Sequence, residues 1–374
     1  MYTPWIITAV TVVAVYFLDR WENRYIKSLF DWVPAILLAY VIPALFSLVL
    51  QKDFSGAAIH DYSKDFFIPL AIISVMSSLS FRQLKSVGIK PIVVFVAGSM
   101  FIALFPVLAV YGFSSSDWVN TTLVAKQYWM GIPPVVGGWI GGSTSQLVLK
   151  ELVNCPENIF LTILVMDNIL VNIWTILMFQ GIKRSHQLNS WFAISDTKMP
   201  DELDLKKEKT LSPVLTLLIF IALVGVFHFL VDTFVIKVVL FSLLGLALSN
   251  FIKSWNNTFS LKVGSILIIL VMAVLGLKLQ FATFGFNWAF FGFLIVWLVG
   301  HFVFTVGVAK VLNVNMAWVP IASMANVGGI ATAPAVTAAY NKKWMPHAIV
   351  LAILSMATGT FWGMLTIYLL GIMI

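Results

Sequence analysis

Apolar segments of about 16 to 30 residues recur along the whole chain, and this spacing constrains the fold more than any other feature of the sequence. Of the 374 residues, 60% are hydrophobic and 10% are charged, whereas soluble domains carry about a quarter charged residues. This composition excludes a soluble enzyme, a nucleic-acid-binding protein and a secreted scaffold. The single cysteine, Cys155, excludes an intrachain disulfide. We therefore predict an all-α polytopic membrane protein.

The apolar segments form two sets of six on either side of a polar linker, residues 183–210. The first half, 1–182, holds segments at about 4–19, 33–50, 66–81, 91–112, 127–149 and 157–181. The second half, 211–374, holds segments at about 211–231, 234–251, 260–279, 288–309, 317–341 and 345–374. Basic residues follow the first segment rather than precede it, so we expect an uncleaved N-terminus on the outer side of the membrane.

The distribution of Lys and Arg indicates how many of these segments cross the bilayer. If all twelve cross, the inner loops hold 10 basic residues and the outer loops hold 12. If segments 127–149 and 317–341 instead enter and leave on one face, the split becomes 17 inside and 5 outside. Because cytoplasmic loops carry an excess of Lys and Arg, we predict ten crossings with both termini outside and the linker in the cytoplasm.

The two exceptional segments are rich in residues that interrupt helices. Residues 128–146 contain five glycines and two prolines, and the second segment contains Gly328, Gly329 and Pro334. Gly and Pro weaken or break a helix, and irregular backbone at membrane depth is tolerated only inside protein or along a water-filled cavity. Both segments are therefore predicted to be re-entrant or broken, and to line a cavity.

The halves also resemble each other in register. Gly141-Gly142 corresponds to Gly328-Gly329, and Asp167, Asn172 and Trp174 correspond to Ser355, Thr360 and Trp362 at a constant offset of 188. Residues 75–82 also resemble residues 271–278, at a different offset. Since each half has five predicted crossings, the second copy is inverted. Inverted repeats with discontinuous elements are typical of secondary transporters.

Polar side chains in the sixth and twelfth segments predict an ion site. An ionisable residue in the middle of a span faces a cavity or a partner, and Asp167 lies among apolar residues with Asn168 and Asn172 close by. Oxygen ligands suit Na⁺ or a titrating proton. The predicted ion-binding residues are Asp167, Asn168, Asn172, Ser355 and Thr360. A structural Asp bonded to the neighbouring broken backbone is the alternative.

The glycine pairs predict a substrate site, because exposed backbone N–H groups at the start of a half-helix attract a carboxylate or another anionic group. The predicted substrate-binding residues are Gly141, Gly142, Ser143, Thr144, Ser145 and Gln146 in the first segment and Asn326, Gly328, Gly329 and Thr332 in the second. We expect no cofactor, and no metal other than Na⁺, because His228, His301 and His347 have no second histidine at ligand spacing.

Taken together, the Gly-Gly-Ser-Thr sequence at 141–144, Pro156, and the Met-Asp-Asn-x3-Asn-x-Trp sequence at 166–174 resemble the bacterial membrane family known as domain of unknown function 819. The resemblance covers essentially the whole chain. It implies membership of the cation:proton antiporter and anion transporter superfamily, with a core domain and a scaffold domain that work by an elevator-type motion. It also implies location in the bacterial cytoplasmic membrane. No arginine in the core pairs a substrate carboxylate, unlike in the glutamate, citrate and bile-acid symporters.

We therefore expect a secondary active transporter, not an enzyme, that moves a small polar organic solute such as an amino acid, short peptide or carboxylate, coupled to Na⁺ or H⁺. A homodimer through the scaffold domain is left open. One alternative is a cation/proton exchanger without an organic substrate, and another is a passive channel. A remote alternative is an intramembrane serine protease at Ser143 or Ser145, but none of the three histidines is expected beside these serines as a base.

Overall fold

The computed structural model describes residues 2–21, 23, 35–78, 87–197, 210–279 and 285–373, and within them the regular secondary structure is helical. The predicted all-α class is confirmed for this part of the chain. Helices α1 to α15 are Thr3–Asp19, Ala35–Leu50, Ile59–Tyr62, Ile68–Met76, Ile89–Gly112, Ile132–Leu152, Glu157–Lys183, Ser185–Trp191, Pro213–His228, Phe234–Phe251, Asn257–Gly276, Trp288–Val311, Trp318–Val327, Gly329–Ala338 and Met345–Gly371. Residues 79–82 of the repeat and residues 198–209 of the charged linker lie outside the described residues.

Among the described helices, α5, α7, α10, α11, α12 and α15 are long and apolar enough to cross a membrane. Shorter apolar helices cover Thr3–Asp19, Leu37–Leu50 and Pro213–His228. The outer faces of the long helices carry exposed apolar side chains, such as Val96, Ile176 and Val303. Such faces suit the hydrocarbon of a bilayer, where water is absent. The chain is a multi-pass membrane protein.

Helices at corresponding places in the two halves have closely similar lengths. Helices α5 and α12 each have 24 residues, and α7 and α15 each have 27. The bounds of α7 and α15 differ by 188 at both ends, which is the offset that relates Asp167 to Ser355. Helices α1 and α9 have 17 and 16 residues. The helices of the third predicted segments differ, since α4 has 9 residues and α11 has 20, so the repeat stays a prediction.

The chain forms two compact units, and each takes segments from both halves. The first unit comprises 1–79, 154–169 and 208–286, and the second comprises 80–153, 170–207 and 287–374. In each half the first three predicted segments thus enter the first unit and the fourth and fifth enter the second. The sixth segment of the first half, α7, contributes residues to both units, whereas its counterpart α15 lies wholly in the second.

Glycines bring the helices of the first unit into close contact. Helix α11 packs against α1, α2 and α4. A Cβ atom added to Gly276 of α11 would collide with the carbonyl oxygen of Tyr40 in α2, and one added to Gly264 would lie 2.5 Å from Val75 Cγ2 in α4. An ion pair at 2.7 Å joins the buried Lys237 Nζ of α10 to Oδ1 of the more exposed Asp65. Glycines such as Gly264 and Gly276 permit the backbones of membrane helices to approach closely.

The beginning of the predicted linker is folded onto the second unit. In α8, the Asn189 side chain donates to Asn315 Oδ1 at 3.0 Å and accepts from the backbone N–H of Met316 at 2.8 Å. Farther along, Asp196 Oδ2 forms an ion pair with Lys90 Nζ at 2.7 Å. Residues 184–197 are therefore a packed part of this unit, which their polar composition does not reveal.

The ion pair between Lys90 and Asp196 also limits the path of the chain between them. Three predicted segments separate the two residues, and three crossings would leave them on opposite sides of a bilayer. Their contact at 2.7 Å requires an even number of crossings. If the long apolar helices α5 and α7 both cross the bilayer, the ion pair fits the prediction that α6 returns to the side from which it starts.

The contact at Gly276 gives a test of the packing of the first unit. We expect Gly276→Ala to destabilise the protein by about 1–3 kcal/mol, because the Tyr40 backbone cannot move away from a new methyl group without displacing α2. The buried thiol of Cys155 provides the measurement, since a thiol-reactive dye reports its exposure during thermal unfolding.

Gly225→Ala in α9 is the matched control. No atom lies within 4 Å of its added Cβ, so the helix propensity of Ala should make this change neutral or stabilising by up to about 1 kcal/mol. Equal melting temperatures for the two variants would contradict the close packing of α11 on α2.

Candidate functional site

Helix α6 is a hairpin of two short helices that meet at Gly142. This residue has φ 67° and ψ −168°, a conformation that essentially only Gly adopts. A Cβ added to Gly137 would lie 2.6 Å from Leu149 Cδ1 and 2.8 Å from the Gln146 backbone nitrogen. In a continuous helix, residues nine positions apart are separated by about 13.5 Å. The arms 132–141 and 143–152 therefore lie side by side.

Helices α13 and α14 are broken at the corresponding place. Gly329 has φ 63°, and the two helices on either side of it pack against each other. The two ends of the segment also meet, because Asn315 Nδ2 donates to the Tyr340 hydroxyl at 3.2 Å. The second unit thus contains two helical hairpins, each turning at a glycine with positive φ.

Helix α15 packs along the first hairpin through its own glycines. A Cβ atom added to Gly359 would lie 2.3 Å from Gly141 Cα, and Gly363 lies against the side chain of Leu149. One residue after Gly359, the Thr360 hydroxyl donates to Ser145 Oγ at 2.9 Å. These contacts bring three residues predicted for the site, Gly141, Ser145 and Thr360, into one place.

Asn326 connects the second hairpin to α5 and α15. Its Oδ1 accepts from Ser99 Oγ at 2.8 Å, and its Nδ2 donates to the Phe95 carbonyl at 3.3 Å. Ser355 Oγ lies 3.2 Å from the same Oδ1 and also contacts the carbonyl of Ile140 in the first hairpin. A hydroxyl has one proton, so Ser355 donates to one of these acceptors at a time.

Two threonine hydroxyls near the breaks have no hydrogen-bond partner. Thr144 follows Gly142 by two residues and Thr332 follows Gly329 by three, and both Oγ1 atoms are buried without a partner. The two positions differ by 188, the offset that relates Asp167 to Ser355. A buried polar group without a partner costs about 1–3 kcal/mol, so such atoms mark places where a ligand or water is expected.

The remaining predicted site residues are distributed over both units. Asp167 and Asn168 are half-buried in the part of α7 that belongs to the first unit, whereas Asn172 is half-buried in the part that belongs to the second. Ser143 and Gln146 lie in the second arm of the first hairpin, and Gln146 is buried. Gly328 has no room for a side chain beside Thr332. The structure therefore groups the predicted substrate residues within the second unit.

The structure gives His301 partners that the sequence did not indicate. His301 of α12 is fully buried beside the predicted site: its Nδ1 lies 3.2 Å from the Gly98 carbonyl and its Nε2 lies 3.2 Å from Ser323 Oγ. A carbonyl only accepts, so Nδ1 carries the proton and Ser323 donates to Nε2. Trp174 Nε1 in turn donates to Ser323 at 3.0 Å. The serine beside a histidine is therefore Ser323, not Ser143 or Ser145.

This hydrogen-bonded chain and Ser99 were missed by the sequence analysis. Ser323 and His301 are both fully buried, so the pair is closed to a substrate and serves to fix α12, α13 and α5 together. The only signal in the sequence was the pair Gly98-Ser99 inside an apolar span. Within the described residues, no three His, Cys, Asp or Glu side chains are grouped as metal ligands.

The break at Gly142 gives a second prediction. Nothing lies within 4 Å of a Cβ at this position, so Gly142→Ala tests the backbone conformation alone. We expect destabilisation by about 1–3 kcal/mol in the Cys155 thiol assay, because Ala is strained at this φ and ψ. Gly307→Ala in α12 has equally open space in a regular helix and should not destabilise. Two equal results would mean that α6 is not broken at Gly142.

Comparison with known proteins gives one match. No curated protein and no solved structure is similar to the chain. A family model matches residues 6–373, which is nearly the entire sequence. It is the family that the motifs at 141–144 and 166–174 had indicated. The chain belongs to the family described as Protein of unknown function (DUF819).

Proposed function

We propose that this protein is a secondary active transporter that moves a small polar organic solute across the membrane, coupled to Na⁺ or H⁺. One observation carries the proposal: the second unit holds two helical hairpins, each broken at a glycine with positive φ and each followed by a buried threonine hydroxyl without a partner. Amino acids, short peptides and carboxylates are the substrate classes of suitable size and polarity.

Broken helices favour transport because of what they leave exposed. A helix that ends inside a bilayer has backbone N–H and C=O groups without helical partners, and these persist only inside protein or along a water-filled cavity. The second arm of each hairpin begins just after its glycine, so its N-terminal N–H groups face the break with positive partial charge. An anionic group of the solute would be held there without an arginine.

The threonines give this site its specificity for polar groups. Thr144 and Thr332 each have a hydroxyl that can donate one hydrogen bond and accept others. Behind them, Thr360 holds Ser145, and Ser355 links Ile140 to Asn326. Thr360 and Ser355 would therefore position the hairpins, and would reach a coupling ion only if these bonds were exchanged.

The organisation of the chain supports alternating access. Helices of matching length in the two halves are expected of a duplicated gene, and five crossings per half would make the second copy inverted. The division into two units is consistent with a scaffold formed by the first unit and a transport domain formed by the second. We propose an elevator-type motion in the bacterial cytoplasmic membrane, with the linker inside and both termini outside.

The unpaired hydroxyls give a third prediction. The substrate class is first found by a thermal-shift screen of amino acids, short peptides and carboxylates, because ligands that bind the folded state raise its melting temperature. For the compound found, Thr144→Val and Thr332→Val should each raise its dissociation constant about 3- to 10-fold, the effect of one lost hydrogen bond.

Thr337→Val in α14 is the matched control, because the Thr337 hydroxyl donates to the Ala333 carbonyl of its own helix at 2.6 Å. This variant should bind as the unmodified protein does. A loss of binding in Thr337→Val equal to that in Thr332→Val would remove the argument that the unpaired hydroxyl contacts the solute.

Asp167 provides a fourth prediction, for the coupling ion. In proteoliposomes, Asp167→Asn should abolish the dependence of solute uptake on a Na⁺ or H⁺ gradient, because the amide retains the shape but not the charge. Uptake that remained fully gradient-dependent would show that the ion binds elsewhere. Binding of the solute measured by thermal shift should persist in this variant.

A cation/proton exchanger is the second candidate, and the half-buried carboxylate of Asp167 in a long apolar helix favours it. An exchanger would acidify or alkalinise vesicles when a Na⁺ gradient is applied without any organic solute. A transporter of the proposed kind would show no such change until the solute is added. The same vesicles therefore distinguish the two functions.

A further inference from the structure

Four oxygen atoms from four helical elements meet inside the second unit. Asn326 Oδ1 lies 2.8 Å from Ser99 Oγ and 3.2 Å from Ser355 Oγ, and Ser355 Oγ also contacts the carbonyl oxygen of Ile140. The side chains of Ser99, Asn326 and Ser355 are buried. The four elements are α5, the first arm of α6, α13 and α15, and these residues all belong to the second unit. We call these four atoms the oxygen cluster.

The oxygen cluster lies where two helices end. Ile140 is the next-to-last residue of the first arm, 132–141, and Asn326 is the next-to-last residue of α13. The last four carbonyl groups of a helix have no partner within that helix, and its C-terminal end carries negative partial charge. Ser355 contacts both residues, so two negative helix ends converge on one hydroxyl group. A cation at this place would offset the partial charge of both ends.

The chemistry of the oxygen cluster indicates the class of cation. Its ligands are two hydroxyl groups, one side-chain amide oxygen and one peptide carbonyl, and hard cations prefer oxygen ligands. Divalent cations such as Ca²⁺ and Mg²⁺ are bound with the help of carboxylates, which the cluster lacks, so it suits a monovalent ion. Neighbouring oxygens 2.8 and 3.2 Å apart suit Na⁺ better than K⁺, because the larger ion requires a wider cage.

The hydroxyl protons have other acceptors, so a cation can replace hydrogen bonds here without the loss of a proton. Ser99 Oγ also donates to the Phe95 carbonyl at 3.1 Å. A serine within a helix can donate to the carbonyl four residues earlier, which for Ser355 is that of Leu351. Asn326 Nδ2 keeps its bond to the Phe95 carbonyl. In this arrangement lone pairs of all four oxygens are available to an ion.

The two glycine turns provide space for an ion to approach the oxygen cluster. Gly142 follows Ile140 by two residues, and Gly329 follows Asn326 by three. Nothing lies within 4 Å of a Cβ atom added at either glycine, so open space borders both turns. Water from this space would complete the coordination of the ion.

We propose that the oxygen cluster is a binding site for Na⁺, formed by the Ile140 carbonyl and the side chains of Ser99, Asn326 and Ser355. The bound ion would join the first arm of α6 to α13 in place of the hydrogen bonds of Ser355. This site is separate from the one proposed at Asp167, which belongs to the first unit. The inference concerns ion binding alone and does not depend on the proposed transport of a solute.

The experiment measures Na⁺ binding to the full-length protein without any solute. Thermal unfolding is followed through the Cys155 thiol in NaCl, KCl and N-methyl-D-glucamine chloride at equal ionic strength. We expect NaCl to raise the melting temperature in a saturable manner relative to N-methyl-D-glucamine chloride, because an ion that binds only the folded state stabilises it. KCl should have a smaller effect at the same concentration. Equal melting temperatures in the three salts would overturn the proposal.

Two variants locate the ion. Ser99→Ala and Ser355→Ala each remove one oxygen of the cluster, and each should raise the dissociation constant for Na⁺ about tenfold, because contacts with a charged group are stronger than those between neutral groups. The readout is the change in melting temperature with Na⁺ concentration. A variant that is less stable without Na⁺ therefore still reports binding, and the two variants test the site independently.

Two controls complete the experiment. Ser242 in α10 is also a buried serine, and its hydroxyl donates to the Val238 carbonyl of its own helix at 2.7 Å, so Ser242→Ala should bind Na⁺ as the unmodified protein does. Asp167→Asn should retain a Na⁺-dependent shift, because the oxygen cluster is unchanged. A shift that persists in Ser99→Ala and Ser355→Ala but disappears in Asp167→Asn would overturn the assignment. Absence of solute uptake would contradict only the proposed transport function.

Discussion

The requirement that backbone polar groups be satisfied inside a membrane protein determines the form of the second unit. Hairpin α6 and the pair α13–α14 interrupt their helices, so the freed groups need protein partners or water. Close packing against α15 meets part of this need, because Gly359 and Gly363 bring its backbone onto the first hairpin. Hydrogen bonds from Thr360 and Ser355 to the first hairpin meet another part. The glycines and hydroxyls of α15 are therefore as necessary to the hairpins as the breaking residues themselves.

Much of this architecture was predictable because it depends on local composition. Apolar segments long enough to be helices, and Gly and Pro at positions that break them, are visible in any stretch of about 20 residues. The break at Gly142 within 132–152 follows from such a pattern, whereas the number of crossings inferred from Lys and Arg stays a prediction. The family match over residues 6–373 agrees with motifs that are equally local.

What the sequence did not reveal depends on contacts between distant residues. Asn189 meets Asn315 at a separation of 126 residues, and Ser99 meets Asn326 at a separation of 227. No periodicity marks either pair, so the docking of α8 and the connection through Asn326 emerge only in three dimensions. His301 was considered only as a metal ligand, and no second histidine lies at ligand spacing. In the structure its hydrogen-bond partners are the Gly98 carbonyl and the Ser323 hydroxyl.

The single hydroxyl proton of Ser355 has a wider consequence. Its oxygen is within reach of one acceptor in each hairpin, the Ile140 carbonyl and the Asn326 side chain, and it can serve only one of them at any instant. Whichever acceptor is left must be compensated by another donor, such as Ser99 in the case of Asn326. A ligand that alters the geometry of one turn would thereby change the hydrogen bonding of the other. The two turns are therefore coupled through Ser355.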